Sequence, residues 1–260
     1  MNKESNPVRT DATGRIIRDW DAEEQIPVPK RKPTTGIEPP AYRRDVFKGE
    51  RRAEWDGWSR IVQWDSSLSS AEKRAFHDIF AAEGGMKKAP GGSGVAGILQ
   101  KTLDSTKSPD NTPGIYARYG KNPKTTDLEL PDIKEVYKGF FNDVFKGPAE
   151  KLKEKNKTTA IKGYQILGLI GNDRLSSSVA DILFREGTTK GSELILKAIR
   201  LTDPNADTGT GTAFGSKTLT ALQEIAKDHG KTRNLLEFSA NARRTDEKDR
   251  NDYFRFRDQE

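Results

Sequence analysis

The sequence predicts a mainly α-helical protein with at most a small β-hairpin, preceded by an extended or disordered N-terminal arm. Apolar residues recur at helical spacing in several segments from residue 69 onward. Strand signals are weak throughout, and residues 1 to about 50 are dominated by proline and charge. Hydrophobic residues make up 33% of the 260 and charged residues 32%, so part of the chain lies outside a packed core.

The arm is clearest at IPVPKRKPTTGIEPPAYRRD, where repeated proline removes backbone donors and fixes φ. Trp20, Trp55 and Trp58 interrupt this polar text and are expected to dock on the domain that follows, with docking on a partner as the alternative. The first convincing element is SSAEKRAFHDIFAAEGG. Ser69 and Glu72 form a capping box, Ala75, Phe76, Ile79 and Phe80 form one apolar stripe, and Gly84 and Gly85 stop the helix. KKAPGGSGVAGI is too rich in glycine for a helix and reads as a loop or short hairpin. A helix starting near Ile98 and a loop over 107–126 are expected next.

Helical spacing returns in LPDIKEVYKGFFNDVF, followed by a charged interruption, EKLKEKNK. YQILGLIG is short and very apolar. DRLSSSVADILFREG, GSELILKAIRL and SKTLTALQEIAKD are further helices, the first with Leu175, Val179, Ile182 and Leu183 inward. From Arg243 on, six basic and six acidic residues alternate, the pattern of a solvated helix face.

Composition narrows the chemistry. There are no cysteines and two histidines, His77 and His229, so disulfides, zinc–thiolate sites and a Ser-His-Asp triad have little to work with. No metal site and no cofactor are expected. No apolar run approaches a membrane span, and the N-terminus lacks the apolar core of a secretory signal. A net charge of +6 is small against 45 basic and 39 acidic residues, and no nucleic-acid motif is present, so no nucleic-acid partner is expected.

Three blocks, in order, resemble glycoside hydrolase family 108, the lysozyme-like muramidases with an associated peptidoglycan-binding region. The first is Glu83-Gly84-Gly85 at a helix end, followed by Pro90-Gly91-Gly92 and Gly97-Ile98. The second is IKEVYKGFF. The third is GNDRLSSSVADILFREGTTKGSELILKAIR followed by GTAFGSKTLTALQ, with Gly215, Thr218, Leu219, Ala221 and Leu222 in the family's ending. Met86 stands where the family has an aromatic residue, and Gly94 where it has a threonine.

The resemblance implies a lysozyme-like helical catalytic domain over 54–240, including a peptidoglycan-binding-like half at about 160–225. It would follow an arm over 1–53 and precede a charged C-terminal helix or tail over 241–260. It implies hydrolysis of peptidoglycan glycan strands. Without a signal peptide, the chain is expected to be made in the cytoplasm and to act in the periplasm or cell wall. Delivery would come as a phage endolysin through a lysis system, or as a secreted antibacterial toxin whose partner is an immunity protein. The alternative is a non-catalytic wall-binding or structural module on the same scaffold.

Glycoside cleavage needs a proton donor at the leaving oxygen. Glu83 follows Phe80 and Ala81 at the negative end of a helix dipole, where partial burial and the dipole both disfavour the carboxylate. A second carboxylate is sought among Asp104, Asp110, Asp127, Glu129 and Asp132, with Asp104 preferred because GILQKTLD follows the glycine-rich stretch. Gln100, Tyr137, Gly91 and Gly92 are the expected substrate-binding residues. His77, six residues before Glu83, is off its face and reads as a surface or neighbouring group.

Overall fold

Helical structure begins before Ser69. The computed structural model describes residues 51–87, 94–106, 108, 110–156 and 161–246. Its first element is helix α1, Arg51–Gln63. Trp55, Trp58 and Val62 lie on one stripe of it, and all three are buried. Thus Trp55 and Trp58 belong to the core of the helical body and not to the arm. The low overall apolarity of the segment hides that stripe in the sequence. Trp20 lies outside the described residues.

Helix α2, Ser70–Ala82, starts with the expected capping box: Glu72 N–H donates to Ser69 Oγ and Ser69 N–H to the Glu72 carboxylate. It ends in a Schellman motif, with Gly85 N–H donating to Phe80 O and Gly84 N–H to Ala81 O. Both glycines have positive φ, 79° and 69°, which side-chain-bearing residues adopt at a cost.

A two-stranded antiparallel hairpin follows, β1 (Gly94–Val95) and β2 (Ile98–Leu99), with Val95 opposite Ile98. Its two-residue turn, Ala96-Gly97, has φ of 50° and 72°, the signature of a type I′ turn. Ala96 is buried there. The hairpin runs directly into α3, Gln100–Thr106.

The expected loop at 107–126 instead contains α4, Pro113–Tyr119. Pro113 and Gly114 read as breakers, but proline at the first helical position is a start signal because its missing N–H would be unpaired anyway. Helix α5, Leu130–Val144, buries Ile133, Val136, Tyr137 and Phe141. The expected charged interruption is also helical, as α6, Lys146–Asn156, with buried Pro148 in its first turn. Lys and Glu are good helix formers, so charge alone is no breaker.

The remaining helices are α7 (Ile166–Leu169), α8 (Asp173–Glu186), α9 (Thr188–Thr202), α10 (Ser216–Ala226) and α11 (His229–Asp246). The chain is therefore mainly helical with one small antiparallel sheet among the described residues. No described helix is long and apolar enough to cross a membrane.

The most extensive helix pair is α2 with α8. Ser70 Oγ donates to Asp173 at 3.2 Å, Ser177 Oγ donates to Asp78, and Arg185 lies 3.7 Å from Glu83. Contacts rise together in both helices, so α2 and α8 run parallel. An aromatic chain threads the core. Trp58 stacks on Phe80 with centroids 4.3 Å apart, and Phe76 meets Tyr137 and Phe141. Phe141 stacks on Phe145, which meets Phe214 edge-on at 4.8 Å. Helices far apart in sequence thus share one apolar cluster.

Candidate active site

Glu83 is the C-cap residue of α2, with φ −80° and ψ 0°. The Schellman stop turns the chain away immediately after it, leaving the carboxylate at the helix end. Two contacts from α1 fix that turn: the Arg51 guanidinium donates to Gly84 O, and Met86 N–H donates to the Glu54 carboxylate at 2.6 Å. The helix missing from the sequence reading is thus what holds the glycine loop in place.

The hairpin covers the carboxylate from the other side. A Cβ built on Gly97 would stand 2.5 Å from Glu83 Cγ and 2.8 Å from Phe184 Cε1, so only glycine fits. Tyr137 Oη donates to Ala96 O at 2.8 Å and fastens the turn to α5. Phe184 of α8 meets Tyr137 edge-on at 5.0 Å.

Beside it stands Arg185, whose Nε lies 3.7 Å from Glu83 Oε1 and 3.1 Å from Asp181 Oδ1. The Glu83 side chain keeps 26% of its surface exposed. Burial, the largest influence, pushes its carboxyl above the ordinary value of 4.5. Arg185 pulls it down and Asp181 pushes it up. Burial and the nearby Glu83 charge push the Tyr137 phenol well above 10, so it stays a proton donor to Ala96 O. A partly exposed acid of raised pKa keeps its proton to higher pH than a free carboxyl and can give it to a ligand.

The other candidates fall differently. Tyr137 is fully buried and spent on the hairpin, so it positions the site and does not meet solvent. Gln100 uses its amide within the protein: Nε2 donates to Pro123 O and Asp104 Oδ1, and Oε1 accepts from Thr125 N–H. It pins the segment 123–125 to α3 and is not a free sugar ligand. Asp104 is exposed on α3. Asp110, Asp127 and Glu129 are exposed too, but Asp132 is wholly buried and takes hydrogen bonds from Glu129 N–H, Tyr119 and Arg118. Gly91 and Gly92 lie outside the described residues.

His77 is 3% exposed, which overturns the surface half of the expectation. It sits against Trp55 with centroids 5.4 Å apart, its Nε2 3.3 Å from Gln63 Nε2. A helix-face argument could not foresee α1 covering it.

Sequence reasoning missed Asp181, Phe184, Arg185 and the contact of Gly97. The spacing of Asp181 and Arg185 marks an i,i+4 pair on α8, but nothing in the sequence says that this pair meets Glu83.

A separate groove of about 330 Å³ is lined by Lys151, Leu152, Ser216, Leu219, Thr220 and Gln223. It holds no acid and is not where Glu83 lies. Among the described residues no cluster of His, Asp and Glu could hold a metal ion. No family model, curated protein or solved structure matches the chain.

Proposed function

We propose that the protein hydrolyses peptidoglycan glycan strands with Glu83 as general acid, as the ordered sequence blocks imply. The carrying observation is a helix-end carboxyl raised above its ordinary value by burial, pressed by a glycine turn and still keeping 26% of its side-chain surface exposed. Protonated Glu83 donates to the leaving glycosidic oxygen as the bond to the sugar breaks and an oxocarbenium-like centre develops. Glu83 then becomes the carboxylate beside Arg185. Asp104 is our candidate for activating water, with exposed Asp110, Asp127 and Glu129 behind it. The chemistry calls for no cofactor. The lysozyme-like scaffold, with a peptidoglycan-binding half near 160–225, belongs to this proposal. So does action in the periplasm or wall after release by a lysis system or delivery by a secretion system, where an immunity protein would be the inhibitor.

Purified cell walls provide the test, read by turbidity and released muropeptides for the native chain and Glu83→Gln. Clearing by the native chain, with loss of about 10²–10⁴-fold in the variant, supports the reading. Equal clearing by both would remove Glu83 from the chemistry. Binding to walls without any clearing would favour the non-catalytic module.

A further inference from the structure

Arg185 stands between two carboxylates of unequal accessibility. Its side chain is 25% exposed, that of Asp181 11% and that of Glu83 26%. Asp181 lies one helical turn before Arg185 on α8, at 3.1 Å, and Glu83 reaches the same Nε from the end of the parallel helix α2, at 3.7 Å. The nearer, better buried partner is therefore the fixed one. Glu83 approaches a cation that is already held.

We propose that Asp181 and Arg185 together form a positioning device for Glu83. Asp181 anchors the guanidinium, and the guanidinium receives the Glu83 carboxylate formed when the proton leaves. This rests on the reading of Glu83 as the acid. Arg185 stays charged throughout, and the proton that moves is that of Glu83. A cation alone would hold Glu83 ionised and spoil it as a donor. A cation whose charge is half claimed by Asp181 leaves the proton available and still stabilises the carboxylate once it exists.

Every described element around Glu83 fits this division. From α8 come Arg185, which lowers its proton affinity, Asp181, which raises it, and apolar Phe184. From α5 comes the phenol of Tyr137, neutral and bound to Ala96 O. The hairpin presents Gly97, which carries no charge. Arg51 and Glu54 of α1 bind backbone atoms of the following loop at Gly84 and Met86.

Carbon-13 NMR of the labelled Glu83 carboxyl, assigned by its loss in Glu83→Gln, follows the titration without any need for hydrolysis. Arg185→Gln should raise the Glu83 midpoint by about one pH unit. Asp181→Asn should lower it. In a wall assay the high-pH limb of the rate profile should move with each midpoint, changing kcat with little change in KM. Arg185→Lys keeps the charge but loses the planar fork, so its midpoint should stay near that of the native chain while kcat falls. A midpoint that ignores Arg185→Gln, or that moves the same way in Arg185→Gln and Asp181→Asn, overturns the proposal. If either of those variants fails to fold, Arg185→Lys decides: native kcat there also overturns it. Midpoints that move as stated in a protein without wall activity would sink the hydrolase reading and leave the electrostatic coupling intact.

Discussion

Glu72 and Glu83 stand at opposite ends of one helix, and burial pushes both carboxyls above their ordinary value. Their surroundings differ in kind. Glu72 is 2% exposed and accepts hydrogen bonds from Ser69 N–H at 2.6 Å and from the Gly168 backbone. Glu83 keeps a quarter of its side chain in solvent and has one ion pair at 3.7 Å. Each has a glycine pressed against it: a Cβ on Gly168 would lie 2.7 Å from Glu72 Oε1, and one on Gly97 2.5 Å from Glu83 Cγ. At Glu72 the fold uses the oxygens to cap a helix. At Glu83 close packing raises the proton affinity but leaves an oxygen for something else. Raised pKa alone therefore does not distinguish an acid catalyst from a cap, whereas unused hydrogen-bonding capacity does.

Crossing the two carboxylates is the sharpest way to break that contrast. Glu83→Gln should cost about 10²–10⁴-fold in wall hydrolysis with little change in thermal midpoint. Glu72→Gln should do the reverse, lowering stability by about 1 kcal/mol through the weakened cap and sparing the chemistry. Chemical denaturation and a wall assay on both variants read the four outcomes, and any swap between them refutes the assignment.

The support beneath each end differs as well. Trp58 is fully buried and stacks on Phe80, whose carbonyl closes the Schellman turn behind Glu83. Trp58→Ala should cost about 3–5 kcal/mol, seen as a large fall in the urea midpoint. A small loss would mean that α1 is an appendage. Gly97→Ala tests the hairpin more gently. Its φ of 72° alone costs roughly 1 kcal/mol for a residue with a Cβ, and the added methyl must displace Glu83 or Phe184. Activity should fall more than stability does.

The smallest effect is electrostatic. A carboxyl whose folded-state value is raised keeps its contribution to stability below the unfolded value near 4.3 and loses it as pH rises through the folded value. Glu83→Gln, which cannot ionise, should therefore gain stability relative to the native chain as pH rises through that window. Asp65 has the opposite sign. Burial pushes its carboxyl up, but hydrogen bonds from Lys134, Lys138 and Ser67 outweigh this and hold it well below the carboxylate range. Its contribution is present above about 4 and disappears on acidification. Melting curves taken from neutral pH downward should show the deficit of Asp65→Asn persisting through the ordinary carboxylate range and closing only as pH falls toward the much lower folded value.

Local rules in the sequence determined the capping box of α2, its glycine stop, the helix-end place of Glu83 and the inward faces of α5 and α8. Each depends on neighbours within about one helical turn, so periodicity and cap chemistry suffice. The same rules, read too strictly, lost α4 to a proline, α6 to its charges and α1 to a polar composition. Only the tertiary structure decided what faces Glu83. Arg185, Phe184 and Gly97 come from elements that local periodicity cannot bring together, and the Tyr137 hydroxyl holds a turn where the sequence predicts a substrate contact. Side-chain spacing says which residues share a face. Which faces then meet is set by burying all of them at once in a single core, with α2 lying parallel to α8.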